Sequence, residues 1–168
     1  KVYENTHPYL GKILIIPGIE LFGMTPFGWR FTNVAFASLL IIVAYYFSLA
    51  LFRKPFYALS AAFLMTYSFM HLTQSRIGLI DTFGVLLVFI SFYYLYKFIK
   101  QQSLTPLFIS GVFFGLAAAV KWSAVFAALG FVFIVLYQLI TRYPRKKESP
   151  FYKVSRLRLV KNGLIAVF

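Results

Sequence analysis

From Phe31 to Phe52 the chain runs for 22 residues without a charged side chain. That is long enough to cross the hydrocarbon core of a bilayer as one helix, which takes about 20 apolar residues. Four more apolar runs follow, at about Pro55 to Leu72, Leu79 to Phe98, Pro106 to Val120 and Trp122 to Ile140. A further one begins near Gly163. The connections are very short, so consecutive helices must run antiparallel. The expected fold is all-α, a polytopic transmembrane helix bundle with about five full spans.

Composition agrees with this. Hydrophobic residues make up 61% of the 168, and the mean hydropathy is +0.79. Soluble domains are nearer 45–50% apolar, and a water-soluble form would expose large apolar patches. The net charge of +13 would suggest nucleic acid in a soluble protein. Here the basic residues lie between apolar spans, where they read as topology signals and contacts to membrane lipids. No nucleic-acid partner is expected. The chain has no cysteine, which removes disulfides and thiolate nucleophiles. With two His and four acidic residues, neither a metal cage nor a cofactor site is expected.

The predicted organisation has four parts. Residues 1–30 form a non-cytoplasmic loop with an interfacial or re-entrant segment. In it, Leu10 to Phe22 is interrupted by Lys12, Pro17, Gly18 and Glu20 and is too broken to span. Residues 31–140 form the transmembrane bundle, 141–162 a basic cytoplasmic loop, and 163–168 the start of another span. Both ends read as cut, so the chain is taken as a fragment of a larger membrane protein. Twelve of the 17 Lys and Arg fall on one side of this topology, including Arg53, Lys54, Lys97, Lys100 and the Arg142 to Lys161 cluster. The positive-inside rule makes that side cytoplasmic. His7, Lys12, Arg30, Gln74, Arg76, Asp81 and Lys121 then gather at the opposite face, from four separate junctions. The cytoplasmic charges come in clusters, as anchors do. The outer ones stand singly in apolar sequence, as in a site.

The most informative junction is His71 to Asp81, which places Gln74, Ser75, Arg76 and Asp81 between two apolar runs. Each ionisable residue at membrane depth costs about 2.5–3.5 kcal/mol on insertion scales, so such residues mark a polar cavity or a surface. Arg76 and Asp81 are five apart and would not share a face of one continuous helix. They are expected to flank a bend near Gly78. A solvated hairpin tip would carry the same residues. Three other constellations have equally plain alternatives. His7 to Lys12 is a compact loop whose His could shuttle a proton and whose Lys could meet a phosphate, or it is an interfacial loop with a snorkelling lysine. Trp29-Arg30 opens the first span as an aromatic-belt anchor or as a guanidinium aimed at phosphate. Gly115 to Ser123 holds Lys121 and Trp122 in a tight reversal, where a shielded ammonium calls for a fixed anion and a phosphate fits, or the lysine simply snorkels.

These four segments resemble one family. His7-Pro8-Tyr9-Leu10-Gly11-Lys12 is similar to the H-P-P-L-G-K loop of the protein O-mannosyltransferases, with Tyr9 in place of the second proline. Phe22 to Phe31 resembles the segment that follows it in bacterial members. Gln74-Ser75-Arg76 with Asp81 resembles their S-R-x-x-x-x-D turn, and Gly115 to Ser123 their G-L-x-x-x-x-K-W-S/T segment. The resemblance implies a membrane-bound GT-C glycosyltransferase, in the cell membrane of a bacterium or the endoplasmic reticulum of a eukaryote. Such an enzyme moves mannose, with inversion, from a polyprenyl-phosphate-mannose lipid to Ser or Thr hydroxyls of an acceptor protein, on the non-cytoplasmic face. The family's acidic catalytic pair precedes the H-P-x-L-G-K loop, so the catalytic base is expected upstream of Lys1, and the chain alone is expected to be inactive.

The expected substrate-binding residues are His7, Lys12, Arg30, Gln74, Ser75, Arg76, Asp81, Lys121 and Trp122. Arg30, Arg76 and Lys121 are candidates for the donor phosphate, Asp81 would orient Arg76, and His7 and Lys12 would shape the loop over the sugar. A GT-C transferase acting on a lipid or glycan acceptor is an alternative. A transporter or flippase is another, although it should carry its ionisable residues at mid-membrane depth.

Overall fold

A computed structural model describes residues 7–101 and 103–142 of the chain. Among the described residues the secondary structure is helical throughout: α1 (Leu10–Ile13), α2 (Ile16–Phe22), α3 (Pro26–Phe52), α4 (Pro55–Thr66), α5 (Phe69–Ile77), α6 (Asp81–Gln101), α7 (Leu104–Val120), a 3-10 turn (Trp122–Phe126) and α8 (Ala127–Arg142). The all-α helix bundle expected from the apolar runs is thus present. The segment 143–162 and the run beginning near Gly163 lie outside the described residues, as do residues 1–6.

Among the described residues two helices, α3 and α6, are long and apolar enough to cross a membrane. At 1.5 Å per residue, the 27 residues of α3 extend about 40 Å and the 21 of α6 about 32 Å. Their surroundings differ. Half of the apolar window of α6 is buried against other helices, whereas only 17% of that of α3 is. Phe31, Val34, Leu39, Ile42 and Tyr46 of α3 all point outward. An apolar helix left this bare suits lipid rather than water.

The starts and stops follow from local chemistry. Thr25 caps α3, its hydroxyl accepting from the Gly28 amide at 3.1 Å, and Pro26 occupies the first turn, where a missing N–H costs nothing. α3 therefore begins five residues before the expected Phe31, because the Gly23 to Gly28 turn cluster supplies a cap. The second apolar run is not one helix. It breaks at Tyr67 and Ser68, where Ser68 is extended (φ −64°, ψ 121°) and starts α5. The run thus becomes a 12-residue α4 and a 9-residue α5. Ser favours helix starts over helix interiors, so Thr66-Tyr67-Ser68 is the weak point of the run. The polar seam then forms α5 itself, and Gly78 closes it in the left-handed conformation (φ 75°). Arg76 and Asp81 flank that bend as expected.

α6 and α7 form the central pair. They approach closely through two small residues: the Ser91 hydroxyl donates to the Ser110 carbonyl at 2.8 Å, and the Ser110 hydroxyl to the Ser91 carbonyl at 2.7 Å. Small residues bring helix backbones together in this way. α3 packs along α6, with the T-shaped pair Phe36–Phe83 at the polar end and the Tyr96 hydroxyl donating to Ala50 at the other, 2.8 Å away. The basic residues Lys54, Lys97 and Lys100 lie at that second end, each over a tyrosine ring.

The segment before α3 folds back onto the bundle. α2 crosses the start of α3 so closely that a Cβ on Gly28 would meet the Gly23 carbonyl oxygen at 2.2 Å, and one on Gly18 the Gly28 oxygen at 2.3 Å. Both obstacles are backbone and cannot rotate away. Gly111, by contrast, has open space around its Cβ position. Gly28→Ala should therefore destabilise the protein by the 1–3 kcal/mol, roughly, of an overpacked core. Gly111→Ala should leave its stability unchanged or raise it. Thermal unfolding of the two variants in detergent checks the contrast.

Candidate functional site

Four parts of the chain meet at one end of the bundle: α1, the start of α3, the α5–α6 bend and the α7–3-10 junction. The closest approach is at Gly11. A Cβ there would lie 2.8 Å from Ile80 Cβ and 3.1 Å from Val120 Cγ1. Gly11 is thus wedged between the residues that precede Asp81 and Lys121. Leu10 and Leu14 pack beside it on the buried cluster of Phe83, Ala117, Val120 and Ala124.

That wedge brings Asp81 and Lys121 together. The Lys121 Nζ donates to Asp81 Oδ1 at 2.5 Å, across 40 residues of sequence. Both side chains are about two-thirds covered. Lys121 is extended (φ −153°, ψ 135°) between α7 and the 3-10 turn, which frees its side chain to reach back. Asp81 opens α6, where the unpaired amides of the first turn favour a carboxylate. The fixed anion that Lys121 requires is therefore Asp81. This corrects the expected pairing of Asp81 with Arg76: the Gly78 bend separates those two, and tertiary packing supplies a nearer cation.

Arg30 and Arg76 have no acidic partner among the described residues. Arg30 lies just past the first turn of α3 with its Cγ 3.9 Å from the Cβ position of Gly78, and the Trp29 carbonyl is 3.5 Å from the same point. Both guanidinium side chains are exposed. Lys12 is exposed on α1, its Nζ 5.9 Å from the Tyr9 ring centroid. His7 is half-buried, with Nδ1 enclosed and unpaired. Ser75 is tied down locally, its hydroxyl donating to Leu72 at 3.0 Å. Trp122 is 63% exposed and stands outward beside Lys121.

One determinant escaped sequence reading. Asn33 is fully buried in α3, and its Nδ2 donates to the carbonyls of Gln74 at 2.8 Å and Ser75 at 3.0 Å. These are among the last four carbonyls of α5, which have no partner within the helix. Asn33 thus caps α5 from a neighbouring helix and fixes the height of Arg76 and Gly78 against Arg30. The available signal was a lone amide in an otherwise apolar run, one turn after Arg30.

Among the described residues, Asp81 lines two cavities at this end. The first, about 220 Å³, lies between α6 and the 3-10 turn, with Gly84, Phe89, Lys121 and Ser123 in its wall. The second, about 290 Å³, lies between α3, the α4–α5 break and α6, with Ser68, His71, Gln74 and Thr82 in its wall. Among the described residues the acidic side chains are Glu20 and Asp81, and no three His, Asp or Glu side chains gather into a metal-ligand set.

A family model described as dolichyl-phosphate-mannose-protein mannosyltransferase matches residues 5–161. The chain belongs to that family. The match runs through all four converging segments. A curated relative from Corynebacterium glutamicum, named polyprenol-phosphate-mannose–protein mannosyltransferase, is 30% identical over 143 residues, covering 71% of this chain and 28% of that protein. The chain thus spans little more than a quarter of the length of that relative. No solved structure gives a significant match.

The Asp81–Lys121 pair in this mannosyltransferase-family chain is testable as a coupling. Asp81→Asn and Lys121→Met should each destabilise the fold, because each strands a half-buried charge. The double variant should be less destabilised than the two losses added together. The coupling energy from this cycle should exceed the 0.2–1 kcal/mol, roughly, of exposed pairs.

Proposed function

We propose that the chain forms the donor-lipid half of the active site of a protein O-mannosyltransferase. The whole enzyme passes mannose from a polyprenyl-phosphate carrier to a Ser or Thr hydroxyl, on the non-cytoplasmic face of a membrane that it crosses several times. The observation that carries this reading is the convergence of all four family segments at one end of the bundle, locked by Gly11 and by Asp81–Lys121.

In this reaction the acceptor oxygen attacks the anomeric carbon of the mannosyl group from the face opposite the phosphate. The bond from that carbon to the phosphate oxygen breaks, and polyprenyl phosphate leaves with the electron pair, so the configuration inverts. The hydroxyl proton passes to a carboxylate base. Asp81 is a poor candidate for that base, since Lys121 holds it. The family resemblance implies an acidic pair elsewhere in the enzyme for that role. The residues here serve the leaving group. At this end, among the described residues, Arg30 and Arg76 are two guanidinium groups without a carboxylate partner, and two such groups around a phosphate stabilise charge as it develops. Lys121, already paired, acts on the donor only through Asp81. His7 and Lys12 on the α1 side cover the approach to this end.

Arg76→Ala in the full-length enzyme should lower mannosyl transfer by at least about a hundredfold while leaving the folded yield intact, and Arg76→Lys should restore it only in part, since lysine cannot reproduce a two-pronged contact. Transfer within a few-fold of the parent in Arg76→Ala would remove Arg76 from the phosphate site. A glycan or lipid accepted in place of a Ser/Thr peptide would instead reassign the acceptor class.

The sidedness is tested separately. The Lys and Arg distribution supports a cytoplasmic position for Arg53-Lys54 and Lys97–Lys100. A cysteine at Gln74 should react with a membrane-impermeant thiol reagent on intact cells, and one at Lys54 should not. The reverse pattern overturns the orientation.

A further inference from the structure

The end of the bundle opposite the four converging segments carries a charge cluster of its own. Arg53 and Lys54 form the turn between α3 and α4, and Lys97 and Lys100 lie near the end of α6. One hydrogen bond brings the two sets together: the Tyr96 hydroxyl donates to the Ala50 carbonyl at 2.8 Å. Ala50 lies in the last turn of α3, just before Arg53, and Lys100 Nζ is 5.5 Å from the centroid of the same Tyr96 ring. Lys97 Nζ is 4.5 Å from the Tyr93 centroid, and Lys54 Nζ 6.0 Å from that of Tyr57. Lysine chains laid over rings in this way have given up part of their freedom before a ligand arrives. Among the described residues none of these four cations has a carboxylate partner. Asp81 is held by Lys121 at the other end, and Glu20 belongs to α2, which packs on α3 near its start.

Arg53 is also strained. It closes α3 in the left-handed conformation (φ 56°, ψ 21°), with its amide bonded to the Leu49 carbonyl at 2.8 Å. Glycine is the usual residue at that point, because a Cβ there crowds the following carbonyl. Among the described residues Arg53 is the one non-glycine residue with a positive φ. Residues held this way cluster at ligand clamps and switch regions. Here the strained residue presents an exposed guanidinium where α3 ends.

The surroundings select the ligand. Leu51, Phe52 and Phe56 flank the turn and are exposed, Phe56 by 73%. The 27 residues of α3 extend about 40 Å, against about 30 Å for a hydrocarbon core. Its last turn therefore reaches the headgroup layer, with the apolar side chains beside it at the edge of the acyl chains. A soluble anion or a nucleic acid would meet the cations and leave these apolar groups uncovered. A phospholipid with an anionic headgroup covers both. We propose that the α3–α4 turn and the end of α6 form a headgroup site for an anionic phospholipid. Arg53 and Lys100 meet the phosphate, Lys54 and Lys97 stand beside them, and Phe52 and Phe56 lie against the acyl chains. Scattered basic residues attract a negative membrane diffusely, whereas this cluster has a fixed place and composition. The site is independent of the donor reading. It shares with that reading only the membrane-spanning position of α3 and α6, which the cysteine-labelling experiment tests by itself.

The test uses the full-length enzyme in nanodiscs of two compositions: phosphatidylcholine alone, and an equal mixture of phosphatidylcholine and phosphatidylglycerol. Native mass spectrometry measures which lipid stays bound to the released protein, and thermal unfolding measures stability. The parent should retain phosphatidylglycerol in preference to phosphatidylcholine. Arg53→Gly and Lys100→Ala should each weaken that retention by about fivefold, the effect of one basic residue at a lipid surface. In phosphatidylcholine alone, Arg53→Gly should hold or raise the thermal midpoint, because glycine adopts the left-handed conformation without strain. Lipid binding is then lost without loss of the fold. Arg53→Gly combined with Thr105→Lys restores the net charge at the same end, on the exposed first turn of α7. A defined site predicts that this double variant stays as weak as Arg53→Gly. Recovery to the parent's retention would show attraction by net charge alone and overturn the proposal. A parent without preference for phosphatidylglycerol overturns it too, as does unchanged retention in both Arg53→Gly and Lys100→Ala. Arg76→Ala, at the opposite end, should leave phosphatidylglycerol retention unchanged, so failure of the donor-phosphate reading and failure of this site are read separately.

Discussion

The ion pair between Asp81 and Lys121 governs the polar end of this bundle. Opposite charges in partly desolvated surroundings attract far more strongly than in water, but each pays for lost hydration, so they persist only as partners. Here the pair ties the first residue of α6 to the residue that follows α7. The two central helices are thereby pinned at one end, while the reciprocal Ser91–Ser110 bonds pin them midway. The pair also sorts the cations. Lys121 is neutralised within the protein, and the excess positive charge near the α5–α6 bend falls to Arg30 and Arg76.

Small residues set how closely the surrounding segments can approach that pair. Gly11 admits α1 against Ile80 and Val120, and Gly18 and Gly28 let α2 cross the start of α3 at backbone contact. Without side chains at these points, the segment before α3 becomes part of the wall of the site. Asn33 then aligns α3 with α5 by capping carbonyls that a short helix cannot satisfy alone. Arg30, Gly78 and Arg76 owe their shared level to these contacts, which lie outside any single motif.

The break at Tyr67 and Ser68 has a different role. Splitting the run into α4 and α5 opens a cavity there and turns Ser68, His71 and Gln74 toward it. The cost is a pair of helix ends inside an apolar region. Such a cost is tolerable only where polar groups or a ligand meet those ends.

The helical class and the presence of α3 and α6 as long apolar helices were legible in the sequence, as was the placing of Lys54, Lys97 and Lys100 at one end, because each depends on residues close together in the chain. Run length against membrane thickness sets the spans, and glycine alone adopts the Gly78 bend without strain. The convergence of isolated polar residues at one end was also legible, since antiparallel helices joined by short connections alternate their ends. The Asp81–Lys121 partnership was not, and local spacing pointed to Arg76 instead. A contact across 40 residues is decided by which helix faces meet, and Gly11, Ala117 and Val120 set that through close packing. The cap from Asn33 and the cavity at the helix break likewise arise only when α3, α5 and α6 are brought side by side. The sequence determined which groups reach the polar end of the bundle, and tertiary packing decided which of them neutralise one another and which stay open to a ligand.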